Sequence, residues 1–167
     1  MLTLWDMGER EPSAAKGRAA RRPAKDAAVD PAPVRTAFDV IVERMLARHD
    51  VKVRRWRRST SGLASVILRR NGTIERWVES PRPTTALSLA VFLHEIGHHA
   101  LGIGAIRPRC LEEYHAWQFA FAAMREFGVP VTDRVRERYE RSMRYAVQKA
   151  ARRKLRVLPS ELLEFAR

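Results

Sequence analysis

The segment from residue 86 to residue 101 constrains the fold more than any other, because it is apolar on nearly every side of a helix. A helix of this kind belongs in the middle of a domain, where neighbouring elements cover all its faces. Yet it contains His94, Glu95 and His98. Burying three such groups is costly unless a partner compensates. The sequence therefore predicts a central helix that holds a ligand.

The spacing of these residues, His94-Glu95-Ile96-Gly97-His98, is typical of zinc helices. Histidines four residues apart lie on one helix face, so both imidazoles can reach one metal ion. Glu95 lies beside them, where it can accept a proton from water as a general base. The alternative is that the histidines are ordinary residues satisfied by hydrogen bonds. The adjacent His99 points about 100° away on a helix, which favours a supporting role or a place at the rim.

A catalytic zinc ion needs a third protein ligand and an open coordination position. The next predicted helix, residues 111–127, offers Glu112, Glu113 and His115. We favour Glu113, because Ala116 and Ala120 follow it at three and seven positions and would let this helix approach the first closely. Glu112 is the main rival as a ligand, and His115 is a more distant one. Tyr114, His115 and His99 are candidates for stabilising an oxyanion.

Three strands rich in branched and aromatic residues precede the metal helix, at residues 51–56, 63–68 and 74–78. The Asn71-Gly72 pair between the second and third predicts a hairpin with a two-residue turn, in which both turn residues have positive φ. Helices are predicted before the strands, from Thr36 to His49, and after them. The fold class is therefore α+β: a short antiparallel three-stranded sheet packed beside the buried metal helix, a second ligand-bearing helix and a long basic C-terminal helix.

The motifs around these positions resemble those of the ImmA/IrrE family of small gluzincin-type zinc metallopeptidases. The first is His94-Glu95-Ile96-Gly97-His98, and the second runs from Glu113 to Ala120, where the family has Glu-x-x-Ala-(Asn/Asp)-x-Phe-Ala. Trp117 stands at the Asn/Asp position. The resemblance covers about residues 36–130. It implies a minimal gluzincin-like fold in which His94, His98 and Glu113 bind zinc and Glu95 is the catalytic base. It also implies a protein substrate such as a helix-turn-helix repressor.

An extended substrate would lie along an edge of the sheet, where main-chain hydrogen bonds bind peptides with little sequence preference. The sequence does not show which strand forms that edge, although the strand at 74–79 is nearest along the chain to the metal helix.

The chain has a formal net charge of +13, from 32 basic and 19 acidic residues. The predicted last long helix is the most basic part of the chain, with a stripe of arginines that could contact DNA phosphates: Arg134, Arg138, Arg141, Arg152 and Arg153. The alternative is an ordinary solvated face. A second function class follows from the same charge: a basic nucleic-acid-binding module with a structural metal or none.

Three regions are expected along the chain. Residues 8–34 are poor in large apolar side chains, so we expect residues 1–34 to be a disordered basic leader. Residues 35–130 predict a metallopeptidase core, and residues 131–167 predict a basic helical extension. The single Cys110 excludes an internal disulfide and suits a reducing compartment. No apolar run approaches the roughly 20 residues needed to span a bilayer. We therefore expect a cytoplasmic protein without membrane contact.

Overall fold

The computed structural model describes residues 35–166. The predicted leader at residues 1–34 lies outside this range. The elements, in chain order, are α1 (Ala37–His49), β1 (Val51–Arg57), β2 (Leu63–Leu68), β3 (Ile74–Pro81), α2 (Ala86–Leu101), α3 (Arg109–Glu126), α4 (Asp133–Arg152) and a C-terminal 3-10 helix (Ser160–Ala166). The α+β class and every predicted helix and strand are confirmed, with ends displaced by at most a few residues.

The three strands form one sheet in the order β1-β3-β2. Strand β2 runs antiparallel to β3, as the hairpin requires. Strand β1, however, runs parallel to β3, so the prediction of an all-antiparallel sheet is wrong. The physical reason is the order of the strands. Each short connection reverses the chain, so the third strand runs in the direction of the first, and β3 is inserted between β1 and β2.

The hairpin between β2 and β3 is confirmed, but its predicted two-residue turn is wrong. Gly72 adopts a positive φ of 81°, whereas Asn71 does not adopt a positive φ. The Gly72 amide donates to the Arg69 carbonyl, and the Arg69 amide donates to the Thr73 carbonyl. The loop is therefore three residues long and ends in a left-handed glycine. The Asn71 side chain accepts a hydrogen bond from the Thr73 amide, which favours this turn.

Helix α2 occupies the centre of the fold, as its composition predicts. Thr85 caps its N-terminus through a hydrogen bond from the Ser88 amide, and eleven consecutive residues, Leu89–His99, are buried. Its apolar side chains contact the sheet on one side and α3 on the other. The imidazoles of the motif are thus held in a helix whose position is fixed from several directions.

Helices α3 and α4 and the 3-10 helix pack together through an aromatic cluster. The Tyr139 ring of α4 makes edge contacts with Trp117, Phe121 and Phe165, at centroid distances of 5.9, 5.1 and 5.5 Å. Residues 131–166, expected as an extension, thus pack on the helix that bears Glu113, in the same compact unit. Among the described residues, no helix is both long enough and apolar enough to cross a membrane.

Candidate metal centre

Three donor atoms from α2 and α3 converge on one point. His94 Nε2 lies 3.3 Å from His98 Nε2 and 3.3 Å from Glu113 Oε2. His98 Nε2 lies 3.6 Å from the same Glu113 oxygen. A tetrahedral zinc ion with bonds of about 2.0–2.2 Å holds neighbouring ligand atoms about 3.3–3.6 Å apart. The three residues therefore fit a zinc ion, and two histidines with one glutamate are a donor set known from catalytic zinc sites.

The close approach of α2 and α3 depends on small residues. A Cβ atom at Gly97 would lie 2.8 Å from the Ala116 carbonyl oxygen, which is too close for any other residue without a shift of the backbone. Ala116 and Ala120 are fully buried, which confirms the predicted small-residue face. This contact brings Glu113 within reach of both imidazoles.

Glu112 has a role different from the predicted rival ligand. Its side chain is fully buried, and its Oε1 accepts a hydrogen bond of 3.0 Å from His98 Nδ1. Its Oε2 accepts from the Gly104 amide at 2.9 Å. Because a carboxylate oxygen accepts, His98 Nδ1 carries the proton and Nε2 presents its lone pair to the centre. Glu112 therefore orients His98 and does not belong to the converging group of potential metal ligands.

Arg109 links the two glutamates at the start of α3. Its guanidinium lies 2.9 Å from Glu112 Oε1 and 3.0 Å from Glu113 Oε1. Burial raises the pKa of Glu113, but the nearby imidazoles of His94 and His98 outweigh this effect and hold the pKa of Glu113 well below its usual range. Glu113 is therefore an anion at neutral pH, as a metal ligand must be.

His94 is oriented by an aromatic ring. Trp117 lies over its imidazole with centroids 4.6 Å apart and planes inclined by 31°. Within the described part of the chain, neither His94 Nδ1 nor Trp117 Nε1 has a hydrogen-bond partner, although both atoms are buried. The tryptophan thus fixes the ring by packing, at the position where the resembled family has an amide or a carboxylate.

Glu95 lies next to the three converging residues and faces the start of β2. A Cβ atom at Gly62 would lie 2.3 Å from Glu95 Oε1. Burial raises the pKa of Glu95 to about 7, against the opposing effects of His98, the Ala64 amide and Arg57. A carboxyl group with a pKa near 7 can both accept and return a proton at neutral pH.

The other predicted candidates lie away from the donor atoms. His99 Nε2 is 3.0 Å from the Trp77 carbonyl oxygen of β3, so this histidine ties α2 to the sheet. Tyr114 and His115 contact each other, with ring centroids 5.4 Å apart. Neither belongs to the one group of potential metal ligands found among the described residues.

A cavity of about 1150 Å³ opens above the centre. Its walls include His94, Glu95, Glu113 and the side of α4 that faces them. Of the five arginines predicted to contact DNA, Arg138, Arg141 and Arg153 line this cavity, whereas Arg134 and Arg152 are exposed elsewhere.

The sequence singled out Arg138 as a contact to DNA, but not as a neighbour of Glu95. It donates to the Thr60 carbonyl and is close enough to Glu95 for their charges to interact. Only its place in a helical stripe could have indicated this role.

Comparison with known proteins finds no match to this chain: no family model matches it, and no curated protein or solved structure matches it either. The resemblance to the ImmA/IrrE family thus stays a prediction from the motif residues.

Proposed function

We propose that the protein is a zinc-dependent endopeptidase. The observation that supports this most directly is the convergence of His94 Nε2, His98 Nε2 and Glu113 Oε2 at zinc-ligand spacing, beside the carboxyl group of Glu95 and on the wall of a cavity. A structural zinc site is usually closed by four protein ligands. Here three ligands face open space, which leaves a coordination position for a reactant.

The residues divide the reaction between them. A zinc ion bound at the centre would supply Lewis acidity and lower the pKa of a water molecule toward ~7. Glu95 accepts a proton from the water that adds to the peptide carbonyl carbon. It then returns the proton to the nitrogen as the carbon–nitrogen bond breaks. Glu112 and Trp117 keep the two imidazoles in place throughout.

Strand β2 is the best candidate for holding the peptide. Strand β3 is central and paired on both sides, so only β1 and β2 have free edges among the described strands. The β2 strand begins at Leu63, next to Gly62 and Glu95. A peptide added to this edge would run past the general base. We propose that the substrate is a regulatory protein such as a helix-turn-helix repressor. This part of the proposal rests on the motif resemblance.

We also propose a cytoplasmic location. It is supported by Cys110, whose thiol is buried and free, as expected for a protein of a reducing compartment.

The proposal is tested by metal analysis combined with cleavage of a fluorescently labelled unfolded protein. We expect about one zinc ion per chain, lost in His98→Ala and retained in Glu95→Gln. Cleavage should fall roughly 100- to 10,000-fold in Glu95→Gln, the usual contribution of a general base. The control is His115→Ala, which lies outside the triad and should keep both metal and activity. Retained cleavage in Glu95→Gln, or absence of stoichiometric metal, would contradict the proposal.

A further inference from the structure

The cavity above the metal centre is strongly positive. Eight of its lining residues are arginine or lysine, whereas its only acidic ones are Glu95 and Glu113. None of the acidic side chains of α4 lines the cavity. Glu137 and Glu140 line a neighbouring hollow, which shares Arg141 and Tyr145 with the cavity. Positive charge is therefore concentrated on the cavity face of α4.

Four cationic residues form a row along this face. Arg138, Arg141, Lys149 and Arg153 all line the cavity, and intervals of three, four and eight residues keep them on one side of a helix. Arg138 is the nearest to Glu95, and the row extends away from it. From Arg138 to Arg153, the residue that caps the C-terminus of α4, the backbone rises about 22 Å, the length of about six or seven residues of extended peptide.

These cations differ from the paired arginines of the sheet. Arg54, Arg55 and Arg57 of β1 all surround the carboxylate of Glu79. Within the described residues, by contrast, α4 has a single ion pair, between Arg144 and Glu140, and this pair is outside the row. The row thus leaves its positive charge available to a bound molecule.

The side chains between the cations are small except for Tyr145. Ser142, Ala146 and Ala150 line the cavity beside the row, at intervals of four residues. Small side chains there leave room for a peptide backbone, while the longer cationic side chains can reach its side chains. The cavity is half open to solvent and follows α4, which suits a single extended chain better than a DNA duplex, whose binding proteins normally insert an element into its groove.

We propose that the cavity selects peptide segments with acidic side chains near the scissile bond, through the cationic row on α4. This inference rests on the proposed peptidase function for its biological meaning, but it concerns binding and can be measured separately. Each exposed ion pair raises the binding affinity by a factor of about 1.4 to 5. Several pairs together should give an acidic peptide at least a tenfold advantage at low salt, which screening by salt should reduce.

The test uses two pools of fluorescein-labelled peptides with the same degenerate centre. One pool has Asp and Glu in the flanks, and the other has Asn and Gln at the same positions. Binding is measured by anisotropy to zinc-loaded Glu95→Gln, which does not require turnover, and kcat/KM is measured with the wild type. We expect the acidic pool to bind and to be cleaved at least tenfold better than the neutral pool. The ratio of the two affinities should fall toward one in 0.5 M salt, where the screening length is on the order of 4 Å.

Matched charge reversals identify the surface. In Arg141→Glu/Lys149→Glu the acidic pool should lose its advantage in binding. Arg125→Glu/Arg136→Glu changes the net charge equally at two exposed residues that do not line the cavity, and it should keep the preference. Zinc content and circular dichroism verify that both variants are folded.

The outcomes separate the two proposals. Equal binding of both pools overturns the acidic preference, even if both are cleaved and the peptidase function stands. Acidic preference in binding without any cleavage supports this inference while the peptidase function fails. A third outcome is that an oligonucleotide binds to the wild type but not to Arg141→Glu/Lys149→Glu, while the two peptide pools bind alike. In that case the cavity is a nucleic-acid site and the inference is wrong.

Discussion

At the scale of single residues, the two adjacent glutamates of α3 show how helix geometry separates roles. Glu113 faces the imidazole Nε2 atoms, whereas Glu112, about 100° further round the helix, receives the proton of His98 Nδ1. The sequence could indicate that one of them approaches the metal, because Ala116 and Ala120 mark the contact face. It could not indicate that the other would orient His98, since this depends on the loop that brings the Gly104 amide to Glu112.

Gly62 is the residue that positions the carboxyl group of Glu95, the proposed general base. A methyl group there would occupy the place of the Glu95 carboxyl group, and the flexible side chain would move with little cost to the fold. We expect Gly62→Ala to retain zinc but to lower cleavage roughly 100-fold, as small displacements of catalytic groups do. Metal analysis and a cleavage assay measure the two effects. Ser59→Ala in the same loop should behave as wild type. Unchanged cleavage in Gly62→Ala would show that the position of the Glu95 carboxyl group beside Gly62 is not needed for cleavage.

At the scale of elements, periodicity identified the helices and strands because burial patterns differ between the two. It did not identify strand order. The direction of β1 depends on the insertion of β3 beside it, a long-range choice that alternating residues such as Val51 and Val53 do not encode. The turn at Gly72 differed for a similar reason, since the Asn71 side chain stabilises a longer loop.

Strands β1 and β3 are joined by the ion cluster at Glu79, which predicts a stability dependence on pH. Hydrogen bonding to Arg57, aided by Arg55 and Arg54, lowers the pKa of Glu79 below its usual 4.5. A lowered folded-state pKa contributes stability above pH 4.5 that is lost as pH falls through the folded value. In urea unfolding we expect Glu79→Gln to be less stable than wild type at pH 7. The difference should shrink below pH 4.5, and a constant difference down to pH 2 would refute the cluster's role.

At the scale of the whole molecule, the C-terminal segment completes the aromatic cluster under the metal helices. Phe165 is 5% exposed and contacts Tyr139, whereas the nearby Leu163 is 58% exposed. We expect Phe165→Ala to lower the free energy of unfolding by about 3 kcal/mol, as for other buried phenylalanines. Leu163→Ala should change it by less than about 0.5 kcal/mol. Urea denaturation compares the two variants, and equal effects would show that residues 160–166 do not support the core.

The depth of the metal centre limits what it can act on. His94 and His98 are only 7% and 3% exposed, and α4 forms one side of the cavity above them. A folded domain of 100 residues has a radius of gyration of about 13 Å, too wide to enter. For the proposed peptidase, a target must therefore offer a loose tail or an unwound linker, so the timing of cleavage would depend on the event that loosens that target.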